Sequence, residues 1–378
     1  KPDLVIGLFH TGWDEPDNNG KEGSHNEQNG AYKIAHDVPG FDMVLCGHNH
    51  NVINKKIVNT EGDSVLIIEG GSRAEKIGRA DVLFSKDKRT GHLRKQITGK
   101  LIDVKNYRPD PGFMKKFEGQ KNRLLGYVNR KIAVSEATIS TRESYFGSSP
   151  FVDMIHSIQL AITGADISFA APLSFDVSIP AGPVTVGDMF KLYRFENLLY
   201  TMKMSGSEIK KYLEFSYADW LNTMKGPGDH LLKFRLDNMG RPVIRKGEAW
   251  LRNQPYNFDS AVGIDYTVDV SRKEGNRIVI SSFSDGKPFE PDRIYSVAIN
   301  SYRGNGGGGH LTAGAGIPSE ELPKRLVRST EKDLRYYILK DLEEKGTVHP
   351  FAYNNWKIIP EKWVNKAKPV DYALLFGK

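Results

Sequence analysis

Apolar positions fall into two textures along the chain. In the first third they form short runs separated by turn residues, over 4–9, 41–45, 52–58, 65–69, 77–84 and 92–101. Runs of that length, rich in Val, Ile and Leu, predict strands. The polar stretch Lys86-Asp87-Lys88-Arg89-Thr90-Gly91 predicts the turn between the last two. A short helix is predicted over 31–35, ahead of Pro39-Gly40. Pro109-Asp110-Pro111-Gly112 then breaks the chain. Beyond it, Phe113, Phe117, Leu124, Leu125 and Val128 recur at helical spacing, with Asp110 placed to cap the helix and Pro111 in its first turn. From Ile132 onward the two periods interleave. Helices are predicted over 150–163, 185–192, 207–217 and 329–345, and strands over 166–169, 198–204, 261–271, 277–283 and 294–299. Val186, Met189 and Phe190 are expected to face inward, and Leu334, Tyr337, Ile338 and Leu342 fall on one face of their helix. The pattern predicts an α/β portion over 1–108, a connector helix over 109–130, and an α+β domain over 131–378.

Composition narrows the picture. The chain has 378 residues, 39% of them hydrophobic and 26% charged, which suits two or three packed domains. No apolar run approaches the ~18–20 residues of a membrane span. The single cysteine, Cys46, excludes an internal disulfide. The net charge of +7 favours anionic ligands. Basic residues are not interleaved with aromatics in any block, so no stable nucleic-acid complex is expected.

Candidate chemistry concentrates where strands end. Cys46-Gly47-His48-Asn49-His50 follows the apolar run 41–45, and His10 follows the run 4–9. In open α/β sheets, ligands bind outside the carboxyl ends of strands. Three imidazoles at two strand ends therefore point to transition metals; the alternative is loop histidines with ordinary hydrogen bonds. The polar stretch 13–30, with His25, predicts a long exposed loop beside them. The glycines of 304–309 do not make a phosphate loop, because His310-Leu311 stands where Gly-Lys-Ser/Thr is needed. No strand–Gly-x-Gly-x-x-Gly–helix unit is present either.

Gly47-His48-Asn49-His50 after a strand, with Leu8-Phe9-His10-Thr11-Gly12 before it, resembles the last two motifs of the calcineurin-like metallophosphoesterases. Three further ordered segments resemble the 5′-nucleotidase C-terminal domain over about 130–360. They are Asp188-Met189-Phe190-Lys191-Leu192-Tyr193-Arg194-Phe195-Glu196-Asn197, Ala261-Val262-Gly263-Ile264-Asp265-Tyr266, and Ile299-Asn300-Ser301-Tyr302-Arg303-Gly304-Asn305-Gly306-Gly307. The resemblance implies the C-terminal part of a metallophosphoesterase α/β sandwich, a connector helix and an α+β substrate domain. It implies two divalent ions (zinc, manganese or similar), with His10 and His48 on one and His50 on the other. The family's Asp-x-His, Gly-Asp-x-x-Asp and Gly-Asn-His-Asp/Glu motifs belong before His10, where this chain has nine residues. The catalytic histidine and the bridging aspartate are expected there, so the chain alone is expected to be inactive.

The resemblance also assigns Phe195 and Tyr302 to the two faces of a bound base, Asn197 to its edge, and Gly263 to a close backbone approach. Packing of Phe195 among Leu192, Leu198 and Leu199 is the alternative. Gly308 stands where 5′-nucleotidases carry aspartate, and residues 170–176 contain no arginine where those enzymes bind phosphate. Both departures point to the 2′,3′-cyclic-nucleotide 2′-phosphodiesterase/3′-nucleotidase branch. Arg194 and Arg303 are phosphate candidates on charge alone. The implied function is nucleotide phosphoester hydrolysis by a periplasmic or secreted enzyme, with a non-catalytic nucleotide-binding module as the rival reading.

Overall fold

The computed structural model describes residues 2–15, 29–89, 91, 93–245 and 247–377. His25 and most of the loop around it lie outside the described residues. The chain forms two compact units, Lys1–Gly119 and Gln120–Lys378, divided within the helix Pro111–Val128. Asp110 caps that helix, its carboxylate accepting from the Phe113 N–H at 2.6 Å.

In the first unit the parallel strands Ile6–Leu8, Met43–Leu45 and Ser64–Gly70 lie side by side, and Val52–Val58 adds antiparallel beyond Ser64–Gly70. Val44, Val65 and Ile67 face Ala31 and Ala35 of the helix Ala31–Asp37. The alternate residues Met43, Leu66 and Ile68 face Ile97, Ala80, Val82 and Leu101 of a long antiparallel ribbon, Lys76–Lys86 with Leu93–Asp103. A strand covered on both faces reads as an unbroken apolar run, as 65–68 does. Parallel pairing of the first two strands delivers both histidine loops to one edge of the sheet.

The second unit is built on a five-stranded sheet ordered Ser260–Val262, Ile167–Ala170, Ile294–Asn300, Leu198–Ser205, Leu326–Asp333. One face carries Ile167, Phe169, Met202, Met204, Val297 and Ile299 towards the helix Gly206–Trp220. That helix starts in a capping box, Ser205 with Glu208, and buries Ile209, Tyr212, Leu213, Tyr217 and Trp220 along one stripe. The other face carries Leu199, Ala170 and Ala298 towards the helices Pro150–Thr163, Val186–Leu192 and Leu334–Lys345.

Three expectations are corrected here, and one element is added. The strand over 261–271 is two strands, Ser260–Val262 and Ile264–Asp269, in different sheets. The helix over 329–345 begins at Leu334, because residues 329–333 complete the edge strand and Asp333 caps the helix by accepting from the Tyr336 N–H. Phe190 is 49% exposed. The inward stripe of its helix is Val186, Met189 and Leu192, and Phe190 instead lies under the Arg335 guanidinium at 4.3 Å. Finally, a helix over Glu361–Phe376, for which no element was predicted, is tied down by Asp371. That buried carboxylate accepts from the N–H groups of Leu231 and Leu232 and pairs with His230 at 2.6 Å.

Candidate functional site

The histidine loops of the first unit meet. His10 Nε2 and His48 Nδ1 are 3.3 Å apart, with ring centroids at 5.2 Å. Two metal–imidazole bonds of ~2.0–2.1 Å at a tetrahedral angle would separate their nitrogens by about 3.3 Å. The two ring nitrogens are hydrogen-bonded to each other, and their spacing is also that of two imidazole ligands on one ion. Both His48 and His50 have positive φ, 124° and 61°. Such conformations cost non-glycine residues ~1–3 kcal/mol and persist only where surroundings fix them. Here Asn49 donates to the Trp13 carbonyl at 2.8 Å, Asn51 N–H donates to the buried Glu69 carboxylate at 2.9 Å, and Gly47 N–H donates to the Thr11 carbonyl. Burial pushes the Glu69 carboxyl above the ordinary range, against the Asn51 N–H bond, which favours the carboxylate. Among the described residues no group of three or more His, Cys, Asp or Glu gathers to hold a metal, so His50 does not complete a cluster with the pair.

In the second unit, Phe195, Asn197 and Tyr302 line one cavity of about 260 Å³ with Leu173, Tyr256 and Asn300. Sheet register explains why residues so distant in sequence converge. Leu198–Ser205 pairs antiparallel with Ile294–Asn300, Leu199 opposite Asn300. The residues just before one strand thus adjoin those just after the other. Ser301 Oγ reinforces the junction by accepting from the Leu198 N–H at 3.1 Å. Phe195 is half-buried, and Tyr302 is 47% exposed. Asn197 donates to the Tyr193 hydroxyl at 3.5 Å.

Arg303 backs this cavity. It is 1% exposed and paired with buried Asp259 at 2.9 Å. It also donates to the carbonyls of Gly307 and Tyr256 and to Asn257 Oδ1, at 3.0, 2.6 and 3.0 Å. Burial works against charge on Asp259, but Arg303 holds its carboxyl below the ordinary range. The glycines after Tyr302 pack on this network. A Cβ at Gly307 would meet the Tyr302 ring at 2.5 Å, and one at Gly308 would meet Arg303 Nη1 at 2.1 Å. Their smallness serves the rear of Tyr302 and Arg303.

Gly263 is not brought to this cavity. Ser260–Val262 runs antiparallel to Ile167–Ala170, which puts Ser260 at the cavity end of the sheet and Gly263 at the other. There Gly263 has φ 104° and packs on the Asp166 carbonyl, 2.2 Å from where a Cβ would stand. It lines a separate groove with Phe283, Arg293 and Tyr295. Arg303 is withdrawn as a phosphate candidate by its burial. Tyr256, whose ring meets Phe195 edge-on at 5.9 Å, was missed by sequence reasoning. The only signal available was an aromatic in a Pro/Asn-rich loop, Gln254-Pro255-Tyr256-Asn257.

Comparison with known proteins agrees with this architecture. Residues 129–314 match the model of the 5′-nucleotidase, C-terminal domain family. The chain is 23% identical to the trifunctional nucleotide phosphoesterase of Bacillus subtilis, over 96% of this chain and 26% of that protein. It is 22% identical to the 2′,3′-cyclic-nucleotide 2′-phosphodiesterase/3′-nucleotidase of Yersinia enterocolitica, over 91% of this chain and 56% of that one. A Staphylococcus aureus chain described as a 5′-nucleotidase, solved in complex with alpha-ketoglutarate, shares the fold with a TM-score of 0.70 at 18% identity. The alignment covers 94% of this chain and 64% of that one. The chain thus spans 26% and 56% of the lengths of these two curated relatives. Residues 129–314 resemble the C-terminal domain of the 5′-nucleotidases, and the chain shares its fold with a solved 5′-nucleotidase structure.

Proposed function

We propose that the whole protein is a metal-dependent nucleotide phosphoesterase and that the second unit of this chain holds the base of its substrate. The observation that carries this reading is the cavity lined by Phe195, Asn197 and Tyr302. A base is flat and polarisable, and two rings hold it by offset stacking. Asn197 presents a carboxamide suited to the hydrogen-bonding edge of a base. Gly263 has no part in this site.

His10 and His48 would hold one divalent ion, and His50 would serve a second. When bound, such ions polarise phosphoryl oxygens and lower the pKa of a bound water. The described residues of this chain orient the ligand set and bind the nucleoside. The remaining metal ligands and the catalytic group are not among them, so the chain by itself is read as catalytically incomplete. Gly308, the arginine-free stretch 170–176 and the likeness to the Yersinia 2′,3′-cyclic-nucleotide 2′-phosphodiesterase/3′-nucleotidase support that branch over the 5′-nucleotidases. Export from the cytoplasm belongs to the same reading. No helix among the described residues is long and apolar enough to cross a membrane.

Calorimetric titration of adenosine into the wild-type chain and Tyr302→Ala tests the base site. Loss of one ring should weaken binding by ~1–3 kcal/mol. Inorganic phosphate, which never touches the rings, should bind both proteins alike. Equal adenosine affinities would remove the base-site reading.

A further inference from the structure

A nucleotide differs from a nucleoside by its phosphate, yet every residue lining the cavity is uncharged: Leu173, Phe195, Asn197, Tyr256, Asn300 and Tyr302. Two arginines flank it, and their environments differ. Arg303 is buried, with its donors committed to Asp259, Gly307, Tyr256 and Asn257. At 1% exposure it is held in the core by these bonds and out of a ligand's reach. Arg194 is exposed, and its guanidinium carbon stands 5.3 Å from the centroid of the Phe195 ring. Its charge is also felt at the Tyr256 phenol, across the same cavity wall. Among the described residues no carboxylate pairs with Arg194, and the adjacent Glu196 is engaged by Arg335 at 3.5 Å.

We infer that Arg194 reads the phosphate of a nucleoside monophosphate whose base occupies the cavity, its guanidinium parked over the Phe195 ring. The inference rests on the base-site reading above. A guanidinium over an aromatic face is held by cation–π attraction of ~0.5–1 kcal/mol at an exposed site. Stacking restricts its rotamers while leaving its N–H edges free. Those edges match two phosphate oxygens at once, which a lysine ammonium cannot do. Phe195 then has two tasks, stacking the base and holding the cation beside it. Stretch 170–176 brings no arginine, whereas Arg194 is an exposed cation set against a ring that lines the cavity.

The test titrates adenosine, adenosine 3′-monophosphate and adenosine 5′-monophosphate into the full chain, as wild type, Arg194→Gln and Arg194→Lys. In Arg194→Gln at least one monophosphate should bind about five- to tenfold more weakly, the modest size reflecting an exposed charge contact. Adenosine should stay within about twofold, which also shows that the variant is folded. Arg194→Lys should recover part of the loss. The wild-type preference for monophosphate over adenosine should shrink between about 0.05 and about 0.5 M salt, and the variant's should not. If both monophosphates and adenosine weaken equally, Arg194 only supports the Phe195 ring and the inference falls. If adenosine binds normally and neither monophosphate weakens, the arginine assignment alone falls. If adenosine fails to bind the wild type, the base-site reading falls and takes this inference with it.

Discussion

Replacing Arg303, which lies in the short helix Ser301–Gly304, by Met should destabilise the second unit severely. The guanidinium is 1% exposed and its partner Asp259 is 2% exposed. Removing it leaves a buried carboxylate whose remaining side-chain partner is the Tyr212 hydroxyl. It also strips donors from the Gly307 and Tyr256 carbonyls and from Asn257. Breaking one side of a buried ion pair costs ~3–5 kcal/mol, because the surviving charge is uncompensated. A central value of ~4 kcal/mol, with a urea m-value of ~2.5 kcal/mol/M, lowers the unfolding midpoint by about 1.6 M. Intrinsic fluorescence reads this unit well, since Trp220, Trp250, Trp356 and Trp363 all lie in it and only Trp13 lies in the other. The double variant Arg303→Met/Asp259→Leu should recover at least about half of the loss, because removing both charges also removes the desolvation cost. A single-variant loss below about 1 kcal/mol would refute the reasoning. So would a double variant as unstable as the sum of the two singles.

Two further outcomes are expected. His156 is fully buried between the hydroxyls of Ser168 and Ser260, at 2.9 and 3.1 Å, and burial pushes its pKa down to about 3. An unfolded histidine takes up a proton near ~6.5, so below that pH the unfolded chain binds one more proton than the folded one. Stability from this group is fully present above that pH and falls by ~1.4 kcal/mol per unit as pH drops towards the folded pKa. Denaturation at several pH values between about 6 and 4 should show a shallower slope for His156→Gln, and parallel slopes would contradict this. In the first unit, His10→Ala and His48→Ala should each abolish zinc binding in equilibrium dialysis, since either leaves a single imidazole of the pair. The chain alone should hydrolyse bis-p-nitrophenyl phosphate at background, because no carboxylate among the described residues joins that pair. Turnover lost on His48→Ala would overturn the second statement.

How far the fold could be read depended on how each element is buried. Residues 65–68 announce a strand because a central parallel strand is apolar on both faces. The edge strand Leu326–Asp333 gives no such signal. It carries Arg328, Glu331 and Lys332, as exposed edges do, and the helical spacing from Leu334 onward masks its end. The helix Glu361–Phe376 is hidden for a different reason. Pro369 lies inside it, and one of its inward positions is Asp371, which a hydrophobic pattern counts as solvent-facing. The tertiary partners His230, Leu231 and Leu232 make that carboxylate a core residue.

The cavity divides along the same line. Phe195, Asn197 and Tyr302 were nameable because each ends or begins a strand-bearing segment whose order resembles a known domain. Their convergence follows from one antiparallel pairing, Leu199 opposite Asn300. Gly263 was named on the same grounds and fails, because a strand's direction decides which of its ends reaches a site, and Ser260–Val262 points its glycine end away. Charge could not separate Arg194 from Arg303, since each adjoins a cavity-lining ring in sequence. What separates them is Asp259, a carboxylate 44 residues from Arg303 in the chain and 2.9 Å from it in space. An arginine neutralised in the core fixes the shape of the cavity's rear wall. An arginine resting on Phe195, with no carboxylate partner among the described residues, is the one the inference above assigns to the phosphate.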